Sequence, residues 1–139
     1  MALLLAIIGL SNITHATSKN TYGTLRVERV ISVYDGDTFR ADLSCTTPIV
    51  CNNIGIRING IDTPEMRDKR PDIKKKAKIA RWVVKSQLDA AQVIELRNIQ
   101  RGKYFRVVGD VYVDGRLLAD ELIERGLAHK YDGGKKKEW

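Results

Sequence analysis

The residues best able to do chemistry lie together in Arg57 to Glu65, which reads RINGIDTPE. An alternating run, Ile54, Ile56 and Ile58 against Gly55, Arg57 and Asn59, predicts a strand. The pattern breaks at Gly60, and Asp62, Thr63, Pro64 and Glu65 follow at once. Pro64 keeps Thr63 out of the helical region and stiffens the turn. One guanidinium and two carboxylates therefore leave a strand end in a fixed arrangement. That set suits a hard cation together with an anionic substrate. A plainer reading is also open, with Asp62 capping the next turn and Arg57 in a surface ion pair.

Two further places join this stretch. Asp37 lies in the turn Tyr34-Asp35-Gly36-Asp37, and Arg106 follows Lys103-Tyr104. Taken alone, Asp37 is a turn residue and Arg106 a strand-edge charge. In a small barrel, however, the first hairpin and the end of the third strand can meet at one rim. Asp37 and Asp62 could then share one cation, with the Thr63 carbonyl and water completing its shell. An irregular, all-oxygen site built from loops suits calcium better than magnesium.

The elements that must position these groups can be read in order. Leu25 to Val33 predicts a strand with a bulge near Glu28-Arg29. Asp35-Gly36 suits a tight hairpin into a second strand, Thr38 to Leu43. The third strand is Ile54 to Ile61. From Ile73 to Ala91 the period becomes helical, with Ile73, Ala77, Ala80, Val84, Leu88 and Ala91 in one stripe. Trp82 and Val83 are expected to widen its buried side. Two more strands, Val93 to Ile99 and Tyr104 to Val113, flank a polar turn at Gln100 to Lys103. A short helix over Leu117 to Arg125 is stopped by Gly126. The stretch Asp132 to Trp139 is expected to be mobile. Three strands, a helix, two strands and a helix is the order of an α+β, mostly β fold. Its form is a five-stranded oligonucleotide-binding (OB) barrel with two or three packed helices. Such barrels commonly hold single-stranded nucleic acid.

Composition narrows the partners. The chain has 139 residues, 43% of them hydrophobic, which supports one core but not two. A net charge of +7 draws polyanions, nucleic acid first and anionic membrane second. Ala2 to Leu10 is an apolar run too short to span a bilayer as a helix. Followed by Thr14-His15-Ala16, it reads as a secretory signal cleaved after Ala16, although no Lys or Arg precedes it. An uncleaved membrane anchor and a truncated start are the rival readings. Residues 17–139 then form the domain, secreted or periplasmic. In an exported chain the lone pair Cys45 and Cys51 reads as a disulfide. Zinc is disfavoured, since there is no second cysteine pair and no histidine cluster.

Taken together, YDGDTFRAD at Tyr34 to Asp42, RINGIDTPE, KYFR at Lys103 to Arg106 and DVYVDGRLLADELIERGLA at Asp110 to Ala128 resemble the thermonuclease family. Its type member is staphylococcal nuclease. The resemblance runs from Leu25 to Ala128 and implies an OB barrel with packed helices. It implies calcium-dependent hydrolysis of DNA and RNA, leaving 3′-phosphate ends. It further implies Asp37, Asp62 and the Thr63 carbonyl as calcium ligands, and Glu65 as the group that orients or deprotonates water. Arg57 and Arg106 would bind the phosphate, and Tyr104, with Lys103 beside it, would contact the substrate. Where the type member has a second nucleotide-contacting tyrosine, this chain has Asp132, and the cysteine loop is an insertion.

Two other function classes compete: an OB module that holds nucleic acid without cutting it, and a basic membrane-surface protein. The five charged positions favour the enzyme over both. DNA and RNA, single-stranded or unpaired, are the expected partners, and nothing in the sequence requires more than a monomer.

Overall fold

The computed structural model describes residues 20–139. The proposed signal segment therefore lies outside the described residues. The first strand, β1 (Leu25–Val33), turns through Asp35-Gly36 into β2 (Thr38–Leu43). A single helical turn, α1 (Pro48–Cys51), leads to β3 (Ile54–Ile58), which breaks at Asn59-Gly60 before the two-residue β4 (Ile61–Asp62). A long helix, α2 (Pro71–Ala90), precedes β5 (Ile94–Arg101) and β6 (Arg106–Val113). Then come β7 (Arg116–Leu117), α3 (Leu118–Glu124) and β8 (His129–Lys130).

β1 pairs antiparallel with β2 and β5, β2 with β3, and β5 with β6. A parallel pairing of β3 with β6 closes the ring. The result is a closed five-stranded mixed barrel with three helices, as the order of elements predicts. Closure leaves no free edge among the five strands. The register of β1 slips between Val27 and Arg29, at the expected bulge, and again between Val30 and Ser32.

The barrel interior is filled by Phe39, Ala41, Ile56, Leu96 and Val111, all at 0% exposure. Burying each large apolar side chain contributes about 1.5–3 kcal/mol. Helix α2 covers one end with Ala80, Val83, Val84 and Leu88. Pro71 starts it, where a missing N–H costs nothing, and Asp72 lies in its first turn. Gly126, at φ 68°, ends α3, and the Leu127 N–H donates back to the Leu122 carbonyl at 2.8 Å.

Several expectations need correction. Trp82 is 67% exposed and not part of the buried side. It stands nine residues from Ile73, which at about 100° per residue places it on the opposite face of the helix. The strand β5 runs on to Arg101, and the reversal is made by Gly102 to Phe105. Tyr104 and Phe105 both adopt positive φ, 55° and 61°, which ends strand geometry there. The stretch Asp132 to Trp139 packs back on the body instead of hanging free, because Trp139 stacks on His129. Cys45 and Cys51 form a disulfide with Cα atoms 5.7 Å apart, pinning the inserted loop.

Candidate active site

Three local features build the site. The hairpin turn is pressed against Thr63 and α2 at Gly36. A Cβ there would lie 2.8 Å from Ala80 Cβ and 2.9 Å from Thr63 Cγ2, so only glycine fits. The β2–β3 register sets Thr38 opposite Arg57, which brings Asp37 beside the guanidinium. The break at Gly60, with φ 79°, turns β4 so that Asp62 and Thr63 face the hairpin. Buried Pro64 then carries Glu65 out to the rim.

Asp37, Arg57, Asp62, Thr63 and Glu65 line one cavity of about 220 Å³, together with Tyr34, Asp35, Met66, Arg67 and Lys136. Asp37 and Asp62 are each only 3% exposed and Thr63 only 2%. Asp37 Oδ1 accepts from Arg57 Nη1 and from the Thr38 hydroxyl, and Oδ2 accepts from the Thr63 N–H at 3.1 Å. Arg57 Nη2 donates to the Ile61 carbonyl at 3.2 Å and lies 3.5 Å from Asp62 Oδ1. Glu65 is largely exposed, and its Oε1 accepts from Lys136 Nζ at 3.2 Å.

The cavity carries more negative charge than its cations settle. Asp35 Oδ1 accepts from the Asp37 N–H at 3.1 Å. Burial, and then the charge of Asp37, push the Asp35 carboxyl up to about 7. Asp62 Oδ1 lies 2.8 Å from Lys136 Nζ, yet it receives no hydrogen bond of good angle, and the Thr63 hydroxyl has no partner. Two buried oxygens thus lack directed donors, which is costly unless a ligand or water meets them. Among the described residues no three acidic, histidine or cysteine side chains cluster as a ready-made cage. A cation here would take carboxylate oxygens from Asp37 and Asp62 and find its other ligands in backbone carbonyls, water or substrate. That donor set fits a hard, loosely hydrated ion.

Arg106 is placed elsewhere. In the β3–β6 register it lies opposite Gly55, not Arg57, and its Nε donates to the Lys103 carbonyl at 3.3 Å. A Cβ on Gly55 would come within 2.8 Å of Arg106 Cγ, so the glycine makes room for the arginine. Arg57 and Arg106 share a sheet face but not the cavity. Tyr104 and Lys103 lie still further out on the β5–β6 turn, with Tyr104 90% exposed and its ring 6.0 Å from the Arg106 guanidinium.

A larger groove, about 630 Å³, runs along the other side of segment 132–139. Of its acids, Asp110 is satisfied by Asn59 and Asn98, and Asp132 accepts from the Gly134 N–H. The smaller cavity is the one in which the buried acids Asp37 and Asp62 converge with Arg57. A scan of protein families matches residues 55–138, more than half of the chain, to the family described as Staphylococcal nuclease homologue. The chain belongs to the staphylococcal nuclease family. No match to an individual curated protein was found. Membership in a nuclease family agrees with a barrel whose acids and arginine meet at one rim.

Sequence reasoning gave no site role to five residues that line this cavity, Tyr34, Asp35, Met66, Arg67 and Lys136. Asp35 could have been suspected, since it sits two residues before Asp37 in a tight turn. Nothing local marks Lys136 among its neighbouring lysines. The close fit at Gly36 yields a prediction. Gly36→Ala should cost about 1–3 kcal/mol by overpacking and weaken divalent-ion binding, because Asp37 rides on the displaced turn. Thermal melts and calorimetric titration of the purified variant check both, and an unchanged ion affinity would detach Gly36 from the site.

Proposed function

We propose that this chain is an exported, calcium-dependent nuclease that hydrolyses phosphodiester bonds of DNA and RNA to leave 3′-phosphate ends. The observation that carries the reading is the convergence of Asp37, Arg57, Asp62 and Glu65 on one cavity in a chain of this family. Asp37 and Asp62, with the Thr63 carbonyl, would hold the calcium ion. When bound, that ion supplies Lewis-acid charge to a phosphate oxygen. Arg57 directs its fork at the equatorial oxygens, where charge grows in the transition state. Glu65, exposed at the rim beside Lys136, orients or deprotonates a water in line with the leaving 5′ oxygen.

Single-stranded substrate is supported by the β5–β6 turn. Tyr104 and Phe105, 90% and 72% exposed, stand beside Arg101, Lys103 and Arg106. Exposed rings among cations form a stacking platform for unpaired bases. Export is supported by the apolar run Ala2 to Leu10 and by the disulfide, which persists in oxidising compartments. The placement of Arg106 outside the cavity favours a second reading, an OB module that binds nucleic acid without cutting it. A membrane-surface role fits less well, because the apolar stripe of α2 is spent on the barrel.

One assay separates the first two. The purified protein should degrade a single-stranded DNA oligomer with calcium and leave it intact with chelator. Equal cutting in chelator would remove the metal from the proposal. Binding without cutting under both conditions would establish the module instead.

A further inference from the structure

Segment 132–139 is docked by contacts that have no purpose in the barrel itself. β8 pairs with β4, setting His129 opposite Asp62, and the Tyr131 N–H donates to the Gly60 carbonyl at 2.9 Å. The chain then turns at Asp132, whose Oδ1 accepts from the Gly134 N–H at 3.1 Å. Gly133 holds φ 99°, a conformation open to glycine. Trp139 closes the segment. Its ring stacks on His129 with centroids 3.8 Å apart and planes 4° from parallel. Lys76 Nζ stands 5.3 Å from that ring, and Arg70 Nη1 donates to the Trp139 main-chain oxygen at 2.7 Å.

Between the turn and this latch lie three lysines. On an extended segment neighbouring side chains point to opposite sides. Lys135 and Lys137 accordingly line the large groove, whereas Lys136 enters the candidate active site. Its ammonium meets Asp62 at 2.8 Å and Glu65 at 3.2 Å. It joins Arg57 and Arg67 as a cation lining the cavity, in a site that Arg106 does not reach.

From this arrangement we infer that Lys136 is a further active-site residue, a phosphate-binding cation delivered to the scissile diester by the latched segment. The inference rests on the nuclease reading above. An ammonium so close to Asp62 cannot keep that partner beside a divalent ion, since like charges a few ångströms apart repel strongly even in a semi-polar site. Lys136 would keep Glu65 as neighbour and turn its free N–H donors toward the anion the cavity must admit. The lysine thereby adds a positive charge beside Arg57, which a phosphodiester needs as its negative charge rises.

The test uses the full chain and four variants: Lys136→Met, Lys136→Arg, Trp139→Ala and the double variant of Lys136→Met with Trp139→Ala. Cleavage of single-stranded DNA is measured with calcium, and calcium binding by calorimetry. A second readout avoids turnover altogether. It is the salt dependence of binding to a phosphonate-linked oligothymidylate that cannot be cut at the 5′ position. Lys136→Met should lower kcat/KM about 10- to 100-fold, less than for a fully enclosed donor because the lysine is half exposed. The arginine variant should recover most of the loss. The slope of log affinity against log salt should shrink by about 0.7, one phosphate contact. Calcium affinity should hold or rise. Trp139→Ala should mimic the loss, and the double variant should be no slower than Lys136→Met alone. Wild-type kcat/KM in Lys136→Met, or an unchanged salt slope, overturns the inference and leaves the nuclease reading intact. A wild-type chain inert with calcium sinks the nuclease reading itself, and this inference with it.

Discussion

Arg57→Lys is expected to slow DNA cleavage about 100- to 1000-fold while the protein stays folded and still binds calcium. Arg57 meets two buried carboxylates at once, Asp37 through Nη1 and Asp62 at 3.5 Å from Nη2, and also reaches the Ile61 carbonyl. A planar fork can hold that geometry and still present edges to a phosphate, whereas an ammonium is a single point of charge. Lysine at this position keeps one positive charge among the acids, so Asp37 and Asp62 are not left bare. Removing the charge outright is a poorer experiment, because an uncompensated buried carboxylate alone costs about 3–5 kcal/mol. The measurement is kcat on a single-stranded oligomer, with calorimetry for the ion and a melt for the fold. Turnover within a factor of a few of wild type would mean that the fork holds the barrel rim together and does not touch the transition state.

Glu65→Gln is the second large effect. Turnover should fall about 100- to 10,000-fold with affinity for uncut nucleic acid nearly unchanged. Glu65 is the acid of the cavity with the most exposed side chain, and its closest partner is a lysine on a separate segment. It is therefore not needed to hold the fold, unlike Asp37, which fastens the hairpin to the Thr63 N–H. Glutamine preserves shape and can still accept a hydrogen bond, but it cannot take a proton. A loss of activity at constant affinity thus isolates the handling of water. Undiminished turnover would take Glu65 out of the mechanism and turn attention to Asp35, another carboxylate lining the cavity.

The two variants also bear on what kind of site this is. Asp37 and Asp62 are buried, whereas Glu65 and Lys136 are exposed. On the proposed reading, the buried pair would hold the ion and the exposed pair would handle water and phosphate.

Much of this was legible in the chain. Period-two alternation marked β3, and a helical stripe marked α2, because each pattern records which side chains must leave water. Asp62 to Glu65 could be read as a unit, since Pro64 and the Gly60 break fix their relative positions within a few bonds. Three matters were decided only by the folded chain. The meeting of Asp37 with Asp62 depends on barrel closure and on the tight fit at Gly36, neither of which leaves a local pattern. The separation of Arg106 from Arg57 depends on a parallel register, Gly55 opposite Arg106, that no run of letters encodes. The arrival of Lys136 belongs to a segment that leaves the β4–β8 ladder and ends with Trp139 stacked on His129. Local order follows from which residues the backbone forces to be neighbours. Long-range placement follows from packing energies summed over the entire barrel, and a sequence lists those contributors without saying where they meet.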